Sequence, residues 1–484
     1  MADYNTPLFS REEMFVKSRI NAFVDFFRDR EYYRQLIRLA VPIALQNLIT
    51  SSLNMVALIL IGQLGEESVA AVGLGNQIWF LLNLVVFGIV SGAAMFVAQL
   101  WGKRDIPNIR KVLGLTIKLS LIPALFFWVV AVFFPTFALG IYTKDSAVIA
   151  IGSQYLRIYG WTYLFFAMTA VFSAASRSTG NVRLPLVVST CALGLNVLLA
   201  YPFIFGIKAI GLPAMGVQGA AVAGLIARVL ECLAILISVY KDKFSPIAAT
   251  IKDIVEINFK FLVAVMKPML PVILNEMLWS LGITTYNIIY GHIGTIAVAS
   301  VNIMSTIEQL AFVVFLGLGT ATSIMVGNQI GQGNKEKAYL YGGRSLLIQG
   351  TGALFMGGIV YLVAGNIFQF YKVDPQVIAN AKILLAIFSC GLWMKASNHV
   401  IIIGILRSGG DTKFSLVLDG LVIWFIGVPA TAAGAFLLGL PVYYVYALTF
   451  TEEAVKFIVG VRRYFSKKWI NDLTQKVEDI NPIV

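Results

Sequence analysis

The sequence contains itself twice. Placing Pro42 on Pro271 sets an offset of 229 residues, the difference between 271 and 42. The same offset carries Gly62 onto Gly291, Gly65 onto Gly294, Ala70 onto Ala299, Val72 onto Val301, Gly88 onto Gly317, Gly102 onto Gly331, Tyr142 onto Tyr371 and Asp145 onto Asp374. After a one-residue shift, Arg177 falls on Arg407 and Gly180 on Gly410. Each copy fills about half the chain, far more than the unit of a solenoid. The fold must therefore be one architecture used twice.

What surrounds that architecture follows from hydropathy. Hydrophobic residues make up 58% of the chain and charged residues 13%, with a mean hydropathy of +0.81. Soluble domains hold far less apolar material, and this much apolar surface in water would aggregate. Apolar runs long enough to cross a hydrocarbon layer recur throughout; residues 187–207 and 420–446 contain no Lys or Arg. Duplicated halves in such a chain are common in secondary transporters, with the substrate site between the halves.

Other chemistries find little support. Cys191, Cys232 and Cys390 are widely spaced in apolar segments, with no disulfide framework or paired metal motif. His292 and His399 stand alone, without metal-ligand spacing. No phosphate-binding G-x-x-x-x-G-K-[ST] loop occurs. No catalytic constellation appears, so the expectation is not an enzyme. The first 35 residues are charged and mixed, which argues against a cleavable signal peptide.

The expected fold class is an all-α integral membrane protein with twelve transmembrane helices in two pseudo-symmetric six-helix bundles. The spans fall roughly at 36–61, 69–99, 114–137, 147–174, 184–206 and 217–240, then 268–290, 296–328, 343–366, 377–404, 414–438 and 442–464. The expected organisation is an amphipathic segment at 1–35, a bundle at 36–240, a linker at 241–267, a second bundle at 268–464 and a tail at 465–484. In the amphipathic segment Met14, Ile20, Phe23, Val24 and Phe27 can share one face, with Arg19, Arg28 and Arg30 elsewhere. Such a helix can lie on an anionic leaflet, making membrane lipids an expected partner.

The net charge of +12 invites a nucleic-acid reading, but the distribution of charge refutes it. Counted along the loops, 28 Lys and Arg fall on one side, including both termini, against Lys144, Lys208 and Lys372 on the other. That bias places both termini in the cytoplasm, and the expected location is the plasma (inner) membrane. Six spans per half is an even number. The halves enter the bilayer in the same direction and are related by an axis along its normal.

Charges inside spanning helices are costly and are functional candidates. The first half has only Glu231; the second has Glu276, Glu308, Asp419, Glu452 and Glu453. Glu276 is the leading candidate, with Ser280, Thr284 and Asn287 following on one helical stripe. Its repeat partner is Asn47, with Thr50, Ser51 and Asn54 on a matching stripe. Glu308 lies near mid-bilayer with Asn302, Ser305 and Gln309 nearby, and Lys395 and His399 are candidate partners for these acids. Glu453 and Lys456 are three apart and read as a pair. Asp419 reads as an interfacial residue, and Arg407 with Asp411 as a brace for a tight turn. Arg157, Arg228 and Glu231 read as structural.

These residues resemble a known family. Pro42 with Gln46-Asn47, the Gly62-x-x-Gly65 turn, Ala70-Ala71-Val72-Gly73 and Ala98-Gln99-Leu100-Trp101-Gly102 look like the first half of multidrug and toxic compound extrusion (MATE) transporters of bacterial type. Pro271, Asn275-Glu276, Gly291, Ala297-Val298-Ala299 and Gly327-Asn328-Gln329-Ile330-Gly331 look like the second half. Arg177-Ser178-Thr179-Gly180-Asn181 and Arg407-Ser408-Gly409-Gly410-Asp411-Thr412 resemble the loops after helices four and ten, so the likeness covers roughly residues 35–465. The resemblance implies two six-helix bundles around a central cavity and export of small organic, often cationic, compounds against inward sodium or protons. It also implies a coupling role for Glu276, with a candidate sodium site near it and no other cofactor. A subgroup that couples through an acid on the first helix is not matched, since Asn47 and Asn54 stand there. The site expectation is therefore Glu276, Glu308, Asn302, Ser280, Thr284, Asn47, Asn54 and Lys395. No nucleic-acid or obligatory protein partner is expected. The alternative function is a flippase for lipid-linked precursors on a related fold.

Overall fold

The computed structural model describes residues 29–207, 211, 213–368 and 373–478. Most of the expected amphipathic segment lies outside them. The described chain is a series of long helices. In the first half these are α1 (Arg30–Gly62), α2 (Glu66–Lys103), α3 (Ile106–Phe133), α4 (Ser146–Tyr159 and Thr162–Ser178, bent by 49°), α5 (Arg183–Phe205) and α6 (Gly216–Lys241). In the second they are α7 (Phe259–Ile293), α8 (Thr295–Gly331), α9 (Lys335–Phe368), α10 (Pro375–Arg407), α11 (Thr412–Leu437) and α12 (Val442–Phe465). Ten of these pass as membrane spans on length and apolarity, and the bent α4 adds an eleventh. The twelfth, α12, carries Glu452, Glu453, Lys456, Arg462 and Arg463, a charge content that sets it apart.

The repeat is visible in how helices begin and end. Asp145 and Asp374, equivalent in sequence, both cap helices: Asp145 accepts from the Ala147 and Val148 N–H groups, Asp374 from that of Gln376. After α4 the Asn181 N–H donates to the Ser176 carbonyl and the Gly180 N–H to that of Arg177. After α10 the Asp411 N–H donates to Leu406 and the Gly410 N–H to Arg407 in the same pattern. Both turns are Schellman closures, which need a left-handed residue; Gly180 and Gly410 supply it at φ of 86° and 75°.

Packing repeats as well. In the first half α2 lies against α3 and α4, and α1 against α5; in the second α8 lies against α9 and α10, and α7 against α11. The halves meet through α1 on α8 and, equivalently, α7 on α2, with α2 and α8 crossing at the centre. At that crossing a Cβ on Gly102 would overlap the Asn328 carbonyl, and one on Gly331 would overlap that of Gln99. These four residues are two repeat-related pairs, so the contact is reciprocal about the pseudo-axis.

The seam is confined to one end. Among the described residues, hydrogen bonds between the halves run from Tyr32 to Ser345, from Arg344 to Asp29, from Lys337 to Glu31, from Gln99 to Ser408 and from Arg407 to Ser91. All lie toward the end that carries the basic loops. There α2 from Ala93 to Leu100 is nearly all buried, whereas Asn76, Gln77 and Phe80 in its other half are exposed.

Candidate functional site

Glu276 sits in α7, five residues beyond the internal Pro271, and is buried to 7% exposure. A carboxylate without a partner at such a place is very costly. The partner is Arg407, whose Nη1 donates to Glu276 Oε1 at 2.5 Å and is itself only 3% exposed. Arg407 ends the π-helical stretch Val400–Arg407 of α10. Its Nη1 also approaches Ser91 Oγ of α2 at 3.4 Å, so one guanidinium touches α7, α10 and the opposite half. This corrects the expectation that Arg407 braces its own turn with Asp411. Asp411 instead accepts from Arg463 Nε at 2.7 Å, and the turn is closed by backbone hydrogen bonds.

The other expected acid pairs elsewhere. Lys395 Nζ donates to Glu308 Oε1 at 2.6 Å, half-buried, with the ammonium 5.8 Å from the ring centroids of Phe388 and Phe450. Lys395 is thus the partner of Glu308, not of Glu276. His399, one turn on, packs against Phe312 with ring centroids 5.5 Å apart. It joins no ion pair among the described residues.

A third cluster was misread from sequence. Asn275 Nδ2 donates to Asp419 Oδ2 at 2.9 Å, and Lys456 Nζ reaches Asp419 Oδ1 at 3.0 Å and Glu452 Oε1 at 3.5 Å. Asp419 is therefore buried within the helix packing, not interfacial. Lys456 pairs with Glu452, four residues earlier, and not with Glu453. Glu453 Oε2 accepts from Asn398 Nδ2 at 2.7 Å. The signal available in sequence was the Glu-to-Lys spacing of four, the favourable orientation for a helical pair.

The remaining candidates do not gather around Glu276. Ser280 is buried one turn on, and its carbonyl accepts from Thr284 Oγ1 at 2.9 Å, while Thr284 itself is exposed. Asn302 is exposed on α8, and Asn47 and Asn54 lie on α1 in the other half, half-buried and exposed. None of these three side chains makes a hydrogen bond among the described residues. Arg228 pairs with Glu231 at 2.6 Å, and Ser189 Oγ donates to Glu231 Oε1 at 2.7 Å.

Two helical halves related by a pseudo-twofold axis, with ion pairs buried between spanning helices, define an integral membrane protein of the duplicated-bundle class. A family model described as MatE matches residues 42–202 and again 271–432, and the chain belongs to that family. Relatives include a probable multidrug resistance protein NorM of Thermotoga maritima, 24% identical over 82% of this chain and 85% of its own. Another is the multidrug resistance protein PmpM of Pseudomonas aeruginosa, 25% identical over 83% of this chain and 84% of its own. Among solved structures, a MATE protein in complex with MaL6 superposes with a TM-score of 0.80 at 21% identity, covering 90% of this chain and 97% of that one. A MOP superfamily transporter from Pyrococcus furiosus superposes at 0.79, with the same identity and coverage.

Proposed function

We propose that this chain is a carrier, not an enzyme, that exports small organic, often cationic, compounds across the plasma (inner) membrane in exchange for sodium or protons. Family membership and the multidrug resistance names of its relatives support the substrate class. The basic loops support an orientation with both described ends cytoplasmic. The seam closed at that end supports reading the arrangement as outward-facing.

The observation that carries the coupling part is the Glu276–Arg407 pair and its reach to Ser91. A sodium ion or proton that neutralises Glu276 removes the counter-charge of Arg407. The guanidinium must then find a new partner, and its contact with α2 across the seam is disturbed. An organic cation competing for the same carboxylate would do likewise, so exchange needs no rigid pathway. A lipid-linked precursor flippase would need free cations for phosphate, and buried Arg407 and Lys456 are both taken by carboxylates.

The test is Glu276→Gln, purified and reconstituted into vesicles. It keeps shape and removes the titratable charge. The expected result is a folded protein that still binds substrate but loses gradient-driven efflux at least about ten-fold, equivalent to about 1.4 kcal/mol on the transport barrier. Uphill transport at the wild-type rate would remove Glu276 from the mechanism.

A further inference from the structure

Beside the Glu276–Arg407 pair lies a second buried cluster whose charges do not balance. Two carboxylates, Asp419 and Glu452, share one ammonium, Lys456. Asp419 is well served: one oxygen takes Lys456 at 3.0 Å, the other Asn275 Nδ2 at 2.9 Å. Glu452 is not. Its Oε1 has only the longer contact to Lys456, at 3.5 Å, and its Oε2 is buried with no hydrogen-bond partner. The side chain is 95% buried, with 5% of it exposed.

A second orphan lies next to it. Tyr286 Oη, from α7, is also buried without a partner. A Cβ placed on Gly427 would overlap both Tyr286 Oη and Glu452 Oε2, so the two oxygens converge on the bare face of that glycine. Gly427 closes the π-helical turn Ile423–Gly427 of α11, a distortion frequent at functional sites.

We propose that Glu452, facing Tyr286 across Gly427, is a proton-exchange site distinct from Glu276. A proton on Oε2 cancels the excess negative charge and donates to Tyr286 Oη. When it leaves, the Tyr286 hydroxyl turns and donates to Oε2 instead, so each state keeps one hydrogen bond. One O–H bond forms or breaks at Glu452, with hydronium giving up the proton on the way in and water accepting it on the way out. The groups facing it are Tyr286 and Tyr290 from α7, Asp419 from α11, and Glu453 and Lys456 from α12. On α8 and α10, Glu308 and Lys395 are paired with each other, and His399 packs on Phe312. Glu452 Oε2 and Tyr286 Oη are two unpartnered oxygens turned to one point, and a single proton is what such a pair can share.

The site deepens the proposed coupling and rests on it only for its role in transport. Loss of the proton returns a negative charge to Lys456, which holds Asp419, which holds Asn275, the neighbour of Glu276. Charge at Glu452 is thereby transmitted to α7.

The experiment reads the proton directly. Infrared difference spectra of the purified full-length protein, titrated over pH, should show the carbonyl stretch of a buried protonated carboxylic acid that shifts in D2O. Glu452→Gln should lose that band and Glu276→Gln should retain it. Persistence of the band in Glu452→Gln overturns the proposal, as does its removal by sodium at constant pH. If Glu452→Gln does not fold, Tyr286→Phe decides: a shifted band supports the site, an unshifted band sinks it. The band is read without transport. A protein that exports nothing would therefore overturn the functional reading and leave this site standing or falling by its own measurement.

Discussion

Arg407 is a guanidinium removed from water, and its neighbours decide what replacing it does. Arg407→Ala leaves Glu276 buried and uncompensated, which costs about 3–5 kcal/mol for a broken buried pair. Replacing both partners with apolar groups of similar volume removes both desolvation penalties. Arg407→Met with Glu276→Leu should therefore unfold at a higher temperature in detergent than Arg407→Ala alone. Additive destabilisation of the two changes would mean the pair is not coupled. Glu276 was legible in sequence because a carboxylate inside a long apolar run stands out. Its partner was not. Arg407 precedes Gly409-Gly410, and that neighbourhood points to a turn, which is indeed there. Only the packing shows that the side chain leaves the turn for α7. Glu452 and Lys456 were misassigned for a simpler reason: adjacent Glu452 and Glu453 point to different faces, and the spacing of four, not three, was the informative one.

At the level of helices, span order and approximate bounds were within reach of hydropathy and the repeat, whereas the 49° bend of α4 was not. The π-helical stretches of α10 and α11 were not, because a π turn changes register without changing composition. The repeat also hid a polar chain. In the first half Gln46 Nε2 donates to Ser189 Oγ at 3.2 Å, and Ser189 Oγ to Glu231. In the second half Asn275, Asp419 and Lys456 link the equivalent helices α7, α11 and α12. A three-helix tie recurs on the equivalent helices, ending on an acid, Glu231, in the first half and on a base, Lys456, in the second. At the seam, Asp29 caps α1 and takes Arg344 Nη1 at 2.5 Å from the other half. Partial burial raises the Asp29 carboxyl, but the Tyr32 N–H and the Arg344 guanidinium outweigh it and hold it below the usual carboxylate value. A depressed folded value stabilises above the unfolded value, near about 3.9, and that stabilisation is lost as pH falls through the folded value. The stability difference between wild type and Asp29→Asn should be constant above the unfolded value and shrink as pH falls through the lower folded value. A difference that persists in acid would mean the carboxylate charge contributes nothing.

Across the whole molecule, what holds the seam closed extends beyond the twelve helices. After α12 the chain crosses from the second half to the first. Trp469 is fully buried and its Nε1 donates to the Tyr464 carbonyl at 3.0 Å, while the Asn471 N–H donates to Gly409 at 2.8 Å. The Leu473 N–H then donates to Gln99 Oε1 at 2.7 Å, and Leu473 and Val477 enter the apolar core of the first half. Gln99 Nε2 completes the junction by donating to the Ser408 carbonyl at 2.8 Å and to that of Asn471 at 3.2 Å. Lys103 and Glu478 pair at the rim at 2.5 Å. One buried amide therefore joins α2, the turn after α10 and the C-terminal segment. Opening the seam must break all of these contacts together, so the segment acts as a strap favouring the closed state. Removing residues 467–484 should leave both bundles folded but loosen their junction. Ala98 reports on it, since it is 1% exposed and packs beneath Gly327. In a background without Cys191, Cys232 and Cys390, Ala98→Cys should be almost inert to a membrane-impermeant maleimide in the full chain. In the truncated chain it should label at least about ten-fold faster, a shift of about 1.4 kcal/mol in the opening equilibrium. Gln99→Ala in the full chain should move labelling the same way by a smaller factor, because it removes the junction and keeps Trp469 and Leu473 in place. Equal labelling rates with and without the strap would show that α1, α2, α7 and α8 close the seam unaided.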